Sequence, residues 1–287
     1  YFYDELGSKL FDKISKLDDY YPTKKEIEIL EKNKDNFQRL LPENASIIEF
    51  GSGSNIKIKK LLKAIKNPKE YIPIDISQEF LLFNAKKIAK EFPSMPVNAI
   101  CADYHQMNSL KNFVNNKRKN IGFFPGSTIG NYCPDEAKLL MINFAKIIGY
   151  NNFLLVGVDL RKEKCLMEKA YNDSQGITAA FNKNILNGIS KKIGLSFNQD
   201  DFEHKAYFNE EKKRIEMHLV CTRDINLNFI NGSIKILKGE TIHTENSYKY
   251  SINEFENLSK ISGFETIDVL TDEKKYFSIF FLKVYSN

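Results

Sequence analysis

Short apolar runs alternate with amphipathic segments along the first half of this chain. Ile47–Phe50, Glu70–Asp75, Val97–Tyr104, Asn120–Phe124 and Asn152–Val158 read as strands. Helical patterns lie between them, over Ile56–Ile65 and Glu79–Glu91 and from Pro134, which suits a first turn, to Ile148. Strands interleaved with amphipathic helices imply a parallel sheet covered on both faces. After Asp159 the rhythm changes. Helical stretches at Lys162–Tyr171 and Gly176–Leu195 precede alternating segments such as Arg214–Val220, and Asn231-Gly232 marks a hairpin between Ile225–Ile230 and Ser233–Leu237. Ser251-Ile252-Asn253-Glu254 is a capping box that opens another helix. Glu265–Leu270 and Tyr276–Val284 read as final strands returning to the first sheet.

The pattern predicts an α/β protein with an open, Rossmann-like sheet and a second, smaller α+β lobe. Residues 24–160 and 251–287 would form the sheet domain, and residues 1–23 and 161–250 the lobe. The aromatic opening, Tyr1 to Tyr21, reads as a helix that Pro22 should end, followed by a mostly polar helix over Lys24–Asn36. Its aromatic side chains must pack on something, as a lid on the core or as a wall of a binding site.

Composition narrows the function classes. At 287 residues with 42% hydrophobic and 28% charged, the chain has the balance of a globular protein. The net charge of +5 is scattered over mixed Lys and Glu pairs; nucleic acid is not supported as a partner. No apolar run has the length of a membrane span. Cys101, Cys133, Cys165 and Cys221 stand far apart without metal spacing, and the four histidines do not cluster with them. These features predict a cytoplasmic monomer with reduced thiols and no metal site. The chain opens at Tyr1 without a Met, which leaves an upstream targeting segment open.

The first strand ends in Glu49-Phe50-Gly51-Ser52-Gly53 and a helix follows at once, the strand–turn–helix order of a nucleotide-type site. Glycine is needed where the backbone turns sharply against a ligand. The third glycine of a dinucleotide fingerprint is missing, which favours S-adenosylmethionine (SAM) over NAD. Asp75 follows Gly51 by the twenty-odd residues expected of an acid that grips ribose hydroxyls. Asp103 is placed to accept from an adenine amino group, with Tyr104 to stack. Each acid could instead cap a turn; their shared position at strand ends favours the ligand.

Several stretches together resemble the histidine-specific SAM-dependent methyltransferases, which make hercynine for ergothioneine synthesis. They are YFYDELGSKLFDKI, YYPTKKE, EFGSGS, PIDIS, PGSTIGN, GVDLRK, AYNDSQGITAAFN, FEHKAYFNEEKKRIEMHL and TENSYKY, and they span nearly the whole chain. The resemblance implies a class I methyltransferase sheet and the reaction of SAM with the α-amine of L-histidine, leaving S-adenosyl-L-homocysteine. It implies that Tyr20, Gly51, Lys57, Asp75, Asp103 and Tyr104 hold SAM. Tyr3, Phe11, Tyr20, Gly126, Asn131, Tyr171, Met217, Glu245 and Ser247 would surround histidine. Within that set Asn131 and Tyr171 would hold the carboxylate. Tyr3 and the Gly126 carbonyl would orient the amine, and Glu245 with Ser247 would bind the imidazole. Asn246 departs from the family's usual aliphatic residue, but period two on a strand turns it away from its neighbours. Tyr104 stands where Phe is also found.

Without the resemblance, Asn131 would read as a cap for the Pro134 helix, Met217 as core, Glu245 as a solvated strand residue and Tyr3 as a packing aromatic. A sister branch methylates a prenylated tryptophan. The alternatives are therefore a tryptophan-like amine substrate, or a SAM-binding module without catalysis.

Overall fold

The alternating pattern of the first half folds as parallel strands joined by helices. The computed structural model describes residues 4–105, 110, 114, 118–229 and 232–285. Two compact units result: Tyr1–Tyr21 with Lys162–Tyr248, and Pro22–Arg161 with Lys249–Asn287.

In the larger unit β1 (Ser46–Phe50) leads to α4 (Asn55–Ala64), β2 (Glu70–Asp75), α5 (Gln78–Glu91) and β3 (Ile100–Cys101). Next come β4 (Asn120–Phe124), a 3₁₀ turn (Thr128–Asn131), α6 (Pro134–Ile148) and β5 (Phe153–Asp159). After the smaller unit, α9 (Ile252–Ile261), β11 (Phe264–Thr271) and β12 (Phe277–Val284) complete the sheet. Its order is β11-β12-β5-β4-β1-β2-β3. The first five strands run parallel, and β12 joins β5 antiparallel with β11 outside it. Every residue of β1 and β4 is buried, as strands covered on both faces must be. Strand order reverses between β1 and β4, so the ligand crevice of such a sheet lies at their carboxyl ends. Ser251 caps α9 through its side chain on the Glu254 N–H, and Glu254 returns the bond, so the capping box forms as read.

Three expectations are corrected. Pro22 does not end a helix: α1 (Glu5–Ile14) stops earlier, and Pro22 sits in the first turn of α2 (Tyr21–Lys32), where its missing N–H costs nothing. The polar helix breaks at Asn33, and α3 (Lys34–Leu40) follows. The third strand keeps only Ile100–Cys101 and an isolated bridge from Val97 to Tyr71, because β3 is an edge strand with one neighbour. Asp103 thus stands in a turn beyond it.

In the smaller unit α7 (Lys164–Tyr171) and α8 (Ile177–Ile193) pack on an antiparallel sheet, and α1 packs on α8. The sheet has the order β10-β7-β6, from β6 (Phe202–Asn209), β7 (Arg214–Cys221) and β10 (Thr241–Tyr248). A hairpin of β8 (Ile225–Phe229) and β9 (Gly232–Ile236) forms a separate two-stranded sheet whose Ile225 packs with Phe202, Leu219 and Cys221; Asn231, read as its turn, lies outside the described residues. Among the described residues no helix is long and apolar enough to cross a membrane.

One ion pair in the larger unit is wholly dry. Lys249 Nζ lies 2.6 Å from Asp159 Oδ2, and the two side chains are 0% and 1% exposed. Removing one partner strands the other charge in a low dielectric, at a cost of about 3–5 kcal/mol. Lys249→Ala should therefore lower the unfolding free energy by that order in urea titration. An unchanged midpoint with unchanged slope would show that the pair contributes nothing.

Candidate functional site

The glycine turn after β1 is built by its neighbours. Gly51 has φ 75°, a left-handed conformation that glycine adopts without strain. The Ile74 carbonyl accepts from Gly51 N–H at 2.9 Å and Ser52 N–H at 3.1 Å, tying the turn to the end of β2. A Cβ on Gly53 would meet nothing within 4 Å, so the backbone there is open to a ligand. Asn84 holds the Gly53 carbonyl at 3.1 Å from α5. Asp75, last in β2, accepts from Ser77 N–H at 2.8 Å, which orients its carboxylate; burial pushes its pKa up. Tyr104 packs edge-on against Phe50 and Phe124, and its ring passes 3.7 Å from where a Gly51 Cβ would stand. Asp103 accepts from the His105 N–H at 2.9 Å and faces His105 Nδ1 at 2.7 Å. Partial burial would raise its pKa, but the His105 backbone and ring bonds outweigh it and the value falls. Open backbone beside an oriented acid and an aromatic face suits an adenosyl group.

Lys57 is differently engaged. Its Nζ lies 2.6 Å from Glu26 Oε2, a carboxylate from α2 that is fully buried. The same Glu26 accepts the Gly126 N–H on both oxygens, at 2.9 and 3.1 Å. Gly126 itself has φ 82° and Ser127 φ 57°, so the chain reverses sharply before the 3₁₀ turn that ends in Asn131. Ser127 Oγ accepts from Asp159 N–H at 2.9 Å. Asn131 is half-exposed and does not cap α6; Cys133 is the N-cap, backed by Glu136 at 2.9 Å.

The smaller unit gathers its own set. Phe11, Tyr20 and Tyr171 form a chain of rings, each pair 6.2 Å between centroids, and Phe181 lies 6.0 Å from Phe11. The Tyr171 hydroxyl donates to Ser247 Oγ at 2.8 Å. Met217 is buried on β7 opposite Glu245, and Ser247 stands opposite Ile215. A bulge between His243 and Glu245 makes this pairing, and the Thr244 hydroxyl secures it on the Met217 carbonyl at 2.9 Å. Met217, Glu245 and Ser247 share one sheet face, while Asn246 faces the other side opposite Glu216. Tyr3 lies outside the described residues.

Sequence reasoning missed two supporting residues. Glu26 sits in a polar helix and looks solvated until the tertiary structure buries it. His204 takes the Tyr171 carbonyl at 2.8 Å through Nε2, while Asn182 reaches its Nδ1 at 2.9 Å. Burial lowers the His204 pKa, so the ring is a neutral brace for the end of α7. Its only signal was a histidine on a face shared with Phe202 and Ala206.

A switch-point crevice between β1 and β4, a glycine turn and an acid closing β2 define a class I, SAM-type methyltransferase fold. The family profile described as histidine-specific methyltransferase, SAM-dependent, matches residues 1–284, and the chain belongs to that family. It is 31% identical over 284 residues to histidine N-alpha-methyltransferase of Mycobacterium tuberculosis, covering 97% of this chain and 87% of that protein. To the protein of the same name from Mycolicibacterium smegmatis it is 32% identical over 255 residues, 87% and 78% of the two chains. A solved structure described as a possible exported protein from Bordetella parapertussis aligns with TM-score 0.54 at 9% identity, over 99% of this chain and 84% of that one. That last likeness is one of fold alone.

Glu49, beneath the glycine turn, yields a pH prediction. Burial pushes its pKa up to about 8, against the pull of the Tyr71 hydroxyl bond and the Lys57 charge. The carboxyl is mostly protonated at neutral pH in the folded chain but ionised in the unfolded one. The native state therefore binds the extra proton between about pH 4.3 and 8. Stability from this group is complete below that window, declines by up to about 1.4 kcal/mol per pH unit across it, and is flat above. Urea unfolding at pH 5 and pH 8 should show the loss in wild type and a smaller one in Glu49→Gln. Equal losses in both proteins would reject the assignment.

Proposed function

We propose that this protein transfers methyl groups from SAM to the α-amino nitrogen of L-histidine, giving Nα,Nα,Nα-trimethylhistidine (hercynine) in ergothioneine biosynthesis. The observation that carries the reading is family membership along nearly the whole chain, with histidine N-alpha-methyltransferases among the relatives. The larger unit is read as the cofactor domain and the smaller as the substrate-reading lobe. In the larger unit Gly51, Asp75, Asp103 and Tyr104 hold SAM, and Lys57 serves through Glu26 to steady the turn at Gly126. Tyr3 and the Gly126 carbonyl orient the amine of the substrate, and Asn131 with Tyr171 holds its carboxylate. Phe11, Tyr20 and Met217 complete its aromatic and apolar surroundings, and Glu245 with Ser247 reads the imidazole.

Bound SAM supplies a methyl carbon made electrophilic by its sulfonium, and S-adenosyl-L-homocysteine is left. The protein's work is alignment: it holds the α-amine unprotonated and in line, and excludes water from the approach. Each of the first two transfers leaves a proton on nitrogen that must reach solvent before the next, and the third gives a quaternary nitrogen that carries none. Aromatic walls favour the cationic product. No metal takes part in this chemistry, and neither nucleic acid nor a membrane is a partner. Four free cysteines suit the reducing cytoplasm, and the chain is read as a monomer.

The experiment is incubation with SAM and a panel of amino acids, read by mass spectrometry. Histidine should gain methyl groups and tryptophan should lag far behind. An imidazole offers groups for both Glu245 and Ser247, whereas an indole leaves one unanswered; such sites reject the analogue by about 10⁴-fold. Glu245→Ala should raise the histidine KM and narrow the kcat/KM ratio over tryptophan. A wild type that prefers tryptophan would replace this reading with the tryptophan-like one; an inert protein that still binds SAM would mark a module without catalysis. Asp75→Ala should weaken SAM binding at least about tenfold in calorimetry, since hydrogen bonds to a charged acceptor contribute about 1.5–3 kcal/mol each. Unchanged affinity would remove Asp75 from the cofactor site.

A further inference from the structure

The face of the smaller unit's sheet that turns away from Met217 carries a second cluster. Glu216 and His218 alternate along β7, and the bulge places His243 directly opposite His218 on that same face. One ligand atom from each of the three residues lies within 4.8 Å of the others. Glu216 and His218 are buried and His243 is exposed. We propose that Glu216, His218 and His243 form a binding site for a divalent transition-metal ion of the zinc class, separate from the methyl-transfer site.

The geometry suits that ion. Glu216 Oε2 and His218 Nε2 are 3.2 Å apart. Two ligands at that spacing, each about 2.0–2.1 Å from a common ion, subtend an angle of about 100° there, close to tetrahedral. The carboxylate is already oriented: Arg214 holds Oε1 through Nε at 2.8 Å and Nη2 at 2.7 Å, and Asn209 reaches it at 3.1 Å. The Tyr207 hydroxyl donates to Oε2 at 2.8 Å. Ligands fixed by such outer partners lose little freedom on binding. His218 lies between the Tyr207 ring, 5.3 Å away, and the His243 ring, 4.6 Å away. Its Nδ1 is buried with no hydrogen-bond partner.

Nε2, the nitrogen that faces Glu216, is the ligand atom, and Nδ1 keeps the same surroundings with or without the ion. His243, being exposed, can turn from the stack to offer a ring nitrogen as third ligand, with water as the fourth. The ion takes the place of the proton between Glu216 and His218. Arg214 opposes a dication and limits the affinity to about the micromolar range. Bound there, the ion joins β7 to β10 just before the bulge that sets Glu245 and Ser247 on the opposite face.

The test uses the untagged full chain, stripped with EDTA and then freed of chelator, titrated with Zn²⁺ alone in a calorimeter. One site should appear, and Zn²⁺ should raise the melting temperature. His243→Ala, at an exposed position that does not threaten folding, should weaken that site about tenfold or more and abolish the thermal shift. His105→Ala, which removes the exposed Asp103–His105 pair, should leave both unchanged. Absence of binding by wild type up to about 100 μM, or equal binding by His243→Ala, would overturn the proposal.

Discussion

A single buried carboxylate organises the carboxyl edge of the large sheet. Glu26 enters from α2, meets the Gly126 amide after β4, pairs with Lys57 from α4 and lies against β5 at Gly157. A Cβ at Gly157 would come within 2.2 Å of Glu26 Oε1, so glycine there is the space the charge occupies. The Thr128 hydroxyl holds the Pro125 carbonyl at 3.0 Å, so the peptide between Pro125 and Gly126 is clamped at both its polar ends. An uncompensated buried charge is far costlier than a paired one, and that asymmetry makes four elements depend on one another. The segment from Gly126 to Asn131 is thereby preset, its left-handed residues held by surroundings rather than by their own preference.

In the smaller unit the comparable constraint is the one-residue bulge of β10. A strand alternates with period two, so were Thr244 paired like its neighbours instead of bulged, His243, Glu245 and Ser247 would all lie on one face. The bulge divides them. His243 joins Glu216 and His218, and Glu245 and Ser247 join Met217 and the hydroxyl of Tyr171. One inserted residue thus creates two chemically distinct faces, the first rich in nitrogen and carboxylate ligands, the second apolar with a few polar groups.

Much of the larger unit was legible because its signals are local. The glycine turn, the acid closing β2, Pro134 in a first turn and the capping box at Ser251 each rest on residues a few positions apart. The edge strand β3 was overread, since an apolar run does not reveal whether it has one neighbour or two. Pro22 was misread because the residue that ends one helix is equally at home opening the next. Glu26 and His204 escaped because burial of a polar group is decided by residues far away in sequence: Gly126 is a hundred positions from Glu26.

By itself the sequence determined the class of fold, the position of the glycine turn and the membership of a family whose motifs run along the whole chain. Periodicity and turn chemistry are carried by neighbours, and they survive in a one-dimensional reading. Tertiary structure alone decided which charges are buried and which strand residues share a face. It set Lys57 against Glu26, Lys249 against Asp159, and Glu245 on the opposite side of the sheet from His243. The reason is physical: desolvation and register arise from contacts between distant segments, and neither exists until those segments meet.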